Sequence, residues 1–128
     1  MRAVLDEARR GVLSTIAVDG SPHSVPVVFV IADEEIVTPI DDKPKDGADL
    51  VRVHNIQRDP RATLLVDRWT EDWTRLGWVM VRGVMRIEEP SDFGPQLLQR
   101  YEQYTDDMTP GSRALVLTPQ RISWWRWS

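Results

Sequence analysis

Residues 12–31 read Val12-Leu13-Ser14-Thr15-Ile16-Ala17-Val18-Asp19-Gly20-Ser21-Pro22-His23-Ser24-Val25-Pro26-Val27-Val28-Phe29-Val30-Ile31. Two apolar runs rich in β-branched residues flank Asp19-Gly20, the strongest short-range signal for a β-hairpin. The second run is apolar on both faces: Val25, Val27, Phe29 and Ile31 alternate with Val28 and Val30. A strand of that kind is covered on both sides, as in a closed barrel with a helix or a second subunit outside. Pro26 has no N–H to give to a ladder, so it belongs at an edge, a bulge or a ligand-facing gap.

Working outward, Asp33-Glu34-Glu35 turns the chain into a strand over 35–40, and a polar loop follows over 41–47. Residues 48–58 carry Leu50, Val51, Val53 and Ile56 at helical spacing, stopped by Asp59-Pro60. Strands are expected over 61–67 and 76–88, with Gly83 marking a bulge or a close backbone approach. Phe93, Leu97, Leu98, Tyr101 and Tyr104 fall on one stripe of a helix over 90–104. Residues 1–10 make a short helix ended at Gly11. Ala114 to Thr118 and Ile122 to Trp127 supply one or two last strands, broken at Pro119. Single helices inserted among runs of strands give an α+β, mainly β fold: an antiparallel sheet of six or seven strands curled into a small barrel.

Composition narrows the function. The 128 residues suit one domain over 1–128, and 34 of them are Val, Leu, Ile or Phe, enough for a core. There is no cysteine, which excludes a disulfide scaffold, a thiolate metal site and a Cys nucleophile. A net charge of −4 argues against a duplex-binding surface. The longest stretch free of Asp, Glu, Lys and Arg, Gly20 to Ala32, is too short to span a bilayer as a helix. The first ten residues are charged and lack an apolar run, so no secretory signal is expected and cytoplasmic location is the default. His23 and His54 stand alone and suggest no metal site.

No Gly-rich phosphate loop, His-Glu-x-x-His motif or Gly-x-Ser-x-Gly elbow is present. Asp41-Asp42 and Glu34-Glu35 are adjacent in sequence, and read as turn residues rather than a paired acid and base. If the chain is an enzyme, a cofactor carries its chemistry. No residue is nominated as a catalytic acid, base or nucleophile. The segment that stands out is Thr38-Pro39-Ile40-Asp41-Asp42-Lys43-Pro44-Lys45, followed by Arg52 and by Asn55-Ile56-Gln57-Arg58-Asp59-Pro60-Arg61. Two lysines leave a strand end just ahead of a helix, where an anion meets ammonium groups and the positive end of the helix dipole together.

In order and spacing, several stretches together resemble the pyridoxamine 5'-phosphate oxidase-like split β-barrel superfamily, in particular its small F420-dependent branch. They are Ala8-Arg9-Arg10-Gly11-Val12-Leu13-Ser14-Thr15, the Asp-Gly-Ser-Pro-His turn, Val25-Pro26-Val27-Val28-Phe29, Lys43-Pro44-Lys45, Asn55 to Arg61, and Asp72-Trp73. The resemblance covers roughly residues 5–90 and is looser beyond. It implies a cofactor, the deazaflavin F420 or alternatively FMN, held at a homodimer interface. It puts Lys43 and Lys45 at the cofactor phosphate, with Asn55 and Arg52 nearby on the following helix. It implies that Pro26, Val27 and Phe29, with Thr38, Pro39 and Ile40, line the flat ring system. Trp78 and Arg82, on one strand face, stand beside that pocket. The Arg-rich phosphate strand of FMN-type oxidases is replaced here by Val25 to Val30, which holds no base, so F420 is favoured over FMN. A pyridoxamine-phosphate substrate is not expected, because the C-terminal segment lacks the matching motif.

The implied activity is hydride transfer between the cofactor and a small organic substrate, with neither nucleic acid nor membrane as partner. The competing readings are an FMN-dependent oxidoreductase, a non-catalytic carrier of F420, FMN or another planar ligand, and an assembly domain whose tryptophans are interface glue. Trp124-Trp125-Arg126-Trp127 is expected to pack a C-terminal strand on the barrel or on a partner chain.

Overall fold

The structure, a computed structural model, describes residues 2–40, 51–88 and 113–127. In chain order its elements are α1 (Arg2–Glu7), β1 (Gly11–Ile16), β2 (Pro22–Val27), β3 (Val30–Ala32), β4 (Glu35–Ile40), α2 (Val51–Arg58), β5 (Arg61–Arg68), a 3-10 turn (Trp73–Arg75), β6 (Gly77–Glu88) and β7 (Arg113–Arg126). The expected helix over 90–104 lies outside the described residues.

The hairpin that decides the fold forms as read. Asp19 accepts hydrogen bonds from the Ser21 N–H (3.0 Å) and hydroxyl (2.6 Å), and Gly20 takes φ +86°, a conformation costly for any residue with a Cβ. The second apolar run differs from expectation: it is two strands, β2 and β3, interrupted at Val28 and Phe29. Long-range pairing is the cause. The seven strands make one antiparallel sheet in the order β2-β1-β5-β6-β7-β4-β3, so β2 and β3 are its opposite edges. In a flat sheet those edges would lie about 29 Å apart. Three virtual bonds from Val27 to Val30 reach at most about 11 Å. The sheet must curl until its ends nearly meet, which makes a barrel that is closed by the chain and split along one seam.

Both faces of this run are covered, as the alternation required. Val27 and Phe29 are buried in the main core with Leu13, Ile36, Ile40, Leu64, Val79, Val81, Leu115 and Leu117. Val30 belongs to a second buried cluster on the other face, with Val37, Ala114 and Val116. The two-residue turn between β3 and β4 holds Asp33 and Glu34 at φ 51° and 64°. Such a tight mirror-type turn normally recruits Asn or Gly.

The C-terminal strand corrects the second expectation. Pro119 does not break it: β7 runs unbroken from Arg113 to Arg126 beside β6. Pro119 pairs with Gly83 where the register slips, Arg82 facing Arg121 and Gly83 facing Pro119 with Gln120 left over. A bulge is one of the few places where a strand tolerates a residue without an N–H. It also needs glycine opposite, since a Cβ on Gly83 would lie 2.0 Å from the Thr118 carbonyl oxygen.

Side-chain ties hold β4, β6 and β7 together on the outer face. Arg86 donates to both Glu35 oxygens (2.7 and 3.0 Å) and to Glu88 (2.8 Å), and Thr118 donates to Glu35 (2.6 Å). The guanidinium of Arg86, then the Thr118 hydroxyl, hold the Glu35 carboxyl at about 2, well below the usual glutamate range. No helix among the described residues is long and apolar enough to cross a membrane.

Candidate cofactor site

The β3–β4 ladder pairs Ala32 with Glu35, Ile31 with Ile36 and Val30 with Val37, then stops. Continuing that register would set Thr38 opposite Phe29 and Ile40 opposite Val27, but no rung forms there. Over Thr38–Ile40 the strand is paired only on its other side, to Leu115, Ala114 and Arg113 of β7. The seam therefore brings two of the expected stretches, Pro26–Phe29 and Thr38–Ile40, to the same edge, with no strand ladder between them. Pro26 and Pro39, which have no N–H, are the residue type such a gap accommodates.

Side chains divide unevenly along the seam. Phe29, Val27 and Ile40 point into the main core, so they pack the barrel and can meet a ligand through their main chain only. Thr38 and Pro39 are buried, and Pro26 is exposed.

From Ile40 the chain passes through the segment that carries Lys43 and Lys45, which lies outside the described residues, and returns as α2. This helix is fixed to β1. Buried Asn55 donates its amide to the Thr15 hydroxyl at 3.0 Å. Arg58 donates to the Ile16 carbonyl and, at 3.4 Å, to the Asn55 side-chain oxygen. Val53 and Ile56 enter the core beneath. Asn55, expected beside the cofactor phosphate, gives one amide hydrogen bond to Thr15 and so seats the helix on β1. Arg52 is half-buried on the same helix. Beyond it, Asp59 takes two hydrogen bonds from the Arg61 guanidinium, which lowers its carboxyl to about 2.

Trp78 is not gathered to this edge. It pairs with Trp125 in the β6–β7 ladder, whereas Thr38 pairs with Leu115. Ten residues of β7 separate those partners, about 30 Å along an extended strand. Trp78 lines a separate cleft of ≈ 100 Å³ with Val4, Arg68, Leu76, Trp125 and Arg126. Arg82 shares its strand face, as the alternation required, but opens on yet another groove. Trp69, Trp73, Trp124, Trp125 and Trp127 are all exposed, a large aromatic load for a surface. Among the described residues no group of three or more His, Cys, Asp or Glu is placed to hold a metal ion.

Sequence reasoning missed the Glu35–Arg86–Thr118 tie and the Asn55–Thr15 clamp, since both depend on contacts between distant residues. A glycine and a proline each inside a strand were the visible signal for the bulge, had the two strands been known to pair.

A family model described as pyridoxamine 5'-phosphate oxidase matches residues 1–126. Among solved structures, a conserved hypothetical protein from Mycobacterium tuberculosis is 27% identical, with a TM-score of 0.76 over 97% of this chain and 81% of that one. An F420 reductase is 21% identical, with a TM-score of 0.70 over 95% of this chain and 94% of that one. A heme binding protein from Mycobacterium smegmatis is 21% identical, with a TM-score of 0.65 over 97% of this chain and 51% of that one. The last two likenesses show a shared fold. No curated protein matches.

Proposed function

The chain belongs to the pyridoxamine 5'-phosphate oxidase family, and from that premise we propose that it is an F420-dependent oxidoreductase acting as a homodimer on a small organic substrate. The observation that carries the reading is the distance between the seam and Trp78. About 30 Å of strand lies between them in one protomer, and a second copy would bring its Trp78 and Trp125 to the first copy's seam. The exposed tryptophans then gain the cover they lack. The structure of an F420 reductase, which this chain matches over almost its whole length, supports the choice of cofactor.

When bound, reduced F420 supplies the hydride. The chain's own residues bind, orient and exclude water. Lys43, Lys45 and Arg52 hold the phosphate as charge-assisted donors. Main-chain groups along the unladdered edge Thr38–Ile40 fix the ring edge, while Pro26, Pro39 and the partner's aromatic surface exclude solvent from its faces. Holding donor and acceptor in register removes translational and rotational entropy from the barrier.

The test is a fluorescence titration with F420 and with FMN, followed by turnover of reduced F420 against quinones, enones and nitro compounds. Saturable F420 binding well below 1 mM, weaker FMN binding and consumption of at least one acceptor are expected. Binding without turnover would favour a carrier of planar ligands, a role for which the heme binding protein of the same fold is a precedent. Absence of binding by either cofactor at about 1 mM, roughly −4 kcal/mol, would end both readings.

A further inference from the structure

The outer face of the sheet carries a second feature that hydride transfer does not use. Arg82 on β6 stands directly opposite Arg121 on β7. Like charges in that relation destabilise a ladder. Among the described residues, Arg2, Arg61, Arg68 and Arg86 each have a carboxylate within ion-pair distance. The side chains of Arg82 and Arg121 have no ion-pair or hydrogen-bond partner among the described residues, although the chain has twenty acids to sixteen bases. Beside Arg82 lies a groove of ≈ 380 Å³ whose lining includes Ser14, Thr63, Arg61, Gly83 and Gln120 and, among the described residues, no Asp or Glu. Arg61 is committed to Asp59. Ser14, Thr63 and Arg82 form one continuous cross-strand row, since Ser14 pairs with Thr63 and Thr63 with Arg82. The bulge at Gly83 leaves Gln120 unpaired in the ladder and on the groove wall.

We propose that this groove binds the oxyanion head of a small organic phosphate or carboxylate, gripped by Arg82 from the lining and by Arg121 reaching in from the ladder position opposite it, and hydrogen-bonded by Thr63 and Gln120; the Ser14 hydroxyl in the same lining is shared with Ser24 at 2.8 Å. Two uncompensated guanidinium groups supply the charge, and the hydroxyl and amide groups supply neutral partners for the remaining oxygen lone pairs. The volume exceeds what a bare inorganic ion fills and falls in the range of small-molecule pockets. Bulges next to ligand sites re-aim side chains in this way. The site is distinct from Lys43 and Lys45 and does not rest on the reading of the cofactor.

The experiment follows backbone amide resonances of the full chain during titration with inorganic pyrophosphate, with citrate, and with tetramethylammonium as a cationic control. Saturable shifts centred on Ser14, Thr63, Gly83 and Gln120 are expected with pyrophosphate, citrate or both, and none with the cation. The two anions separate a phosphate from a carboxylate preference. Arg82→Gln and Arg121→Gln are each expected to weaken binding at least about ten-fold. Each is also expected to raise the melting temperature of the free protein, by removing the like-charge contact, and to abolish its rise on adding anion. Shifts confined to the neighbourhood of residues 43–45, shifts caused equally by the cation, no saturation at roughly 10 mM, or an unchanged affinity in both variants would overturn the proposal.

Discussion

Gly83→Ala is expected to be the most damaging methyl group that can be added to a glycine of the described barrel. The new Cβ would lie 2.0 Å from the Thr118 oxygen and 2.9 Å from its carbonyl carbon, with the Pro119 Cα at 3.2 Å. Each of those atoms is backbone, so no rotamer change relieves the clash. The strands would have to part by about 1 Å at the one place where β6 and β7 are already out of step, or the bulge would have to migrate. Overpacking a well-filled site costs about 1–3 kcal/mol, and an unyielding main-chain obstacle puts this case near 3 kcal/mol. That is a large share of the stability of an ordinary domain, equivalent to a fall in Tm of about 10 °C for a chain of this size. Two internal controls calibrate the result. Gly77→Ala meets the Trp125 oxygen at 3.2 Å and needs a shift of only a few tenths of an ångström. Gly11→Ala meets the Leu64 Cδ1 at 2.8 Å, the end of a core side chain that can turn. Urea unfolding should rank the losses Gly83 far above Gly11, and Gly11 above Gly77. A Gly83→Ala protein that loses less than about 1 kcal/mol, or no more than Gly77→Ala, would refute the account of the bulge.

Asn55→Leu strands the buried Thr15 hydroxyl and should cost about 1–3 kcal/mol in urea unfolding; adding Thr15→Val should recover part of that loss, and a strictly additive double variant would show that the clamp is not a pair. Because the Glu35 carboxyl sits at about 2 when folded, against an ordinary glutamate value of 4.5, its contribution is fully present above pH 4.5 and disappears as pH falls towards 2. After discounting for solvent at the half-exposed Arg86, it amounts to roughly 1 kcal/mol, and Glu35→Gln should flatten the stability profile in that window while leaving its shape above pH 6 unchanged. Joint replacement of Lys43 and Lys45 by Ala should weaken F420 binding at least ten-fold, about 1.4 kcal/mol, by equilibrium fluorescence; an unchanged affinity would misplace the phosphate. Mixing that double variant with Trp78→Ala should regenerate, in heterodimers, about a quarter of the wild-type sites, whereas a site contained in one protomer would give no recovery of activity.

What the sequence discloses about this fold is what local patterning controls. Asp19-Gly20 between two β-branched runs specified the hairpin, Asp59-Pro60 stopped α2, and the alternation along 76–88 assigned the faces of β6, with Gly83 at its irregularity. The interruption at Val28-Phe29 was not legible because nothing local breaks the run; it follows from which edge of the sheet each half must join. Pro119 looked like a strand end because proline denies a ladder its donor, and only the glycine opposite makes it acceptable. The candidate site was legible as residue types. Its geometry was not, because the separation of Thr38 from Trp78 depends on strand order, and the tie of Asn55 to Thr15 joins residues forty positions apart. Lys43 and Lys45, on which the phosphate reading turns, fall outside the described residues.

The seam has a mechanical corollary. Elsewhere in the barrel, widening the wall means breaking rungs in a cooperative ladder; between Val27–Phe29 and Thr38–Ile40 no ladder holds the two margins in step. The barrel therefore has one soft direction. A fold built with such a slit can admit guests of different breadth without rethreading a strand.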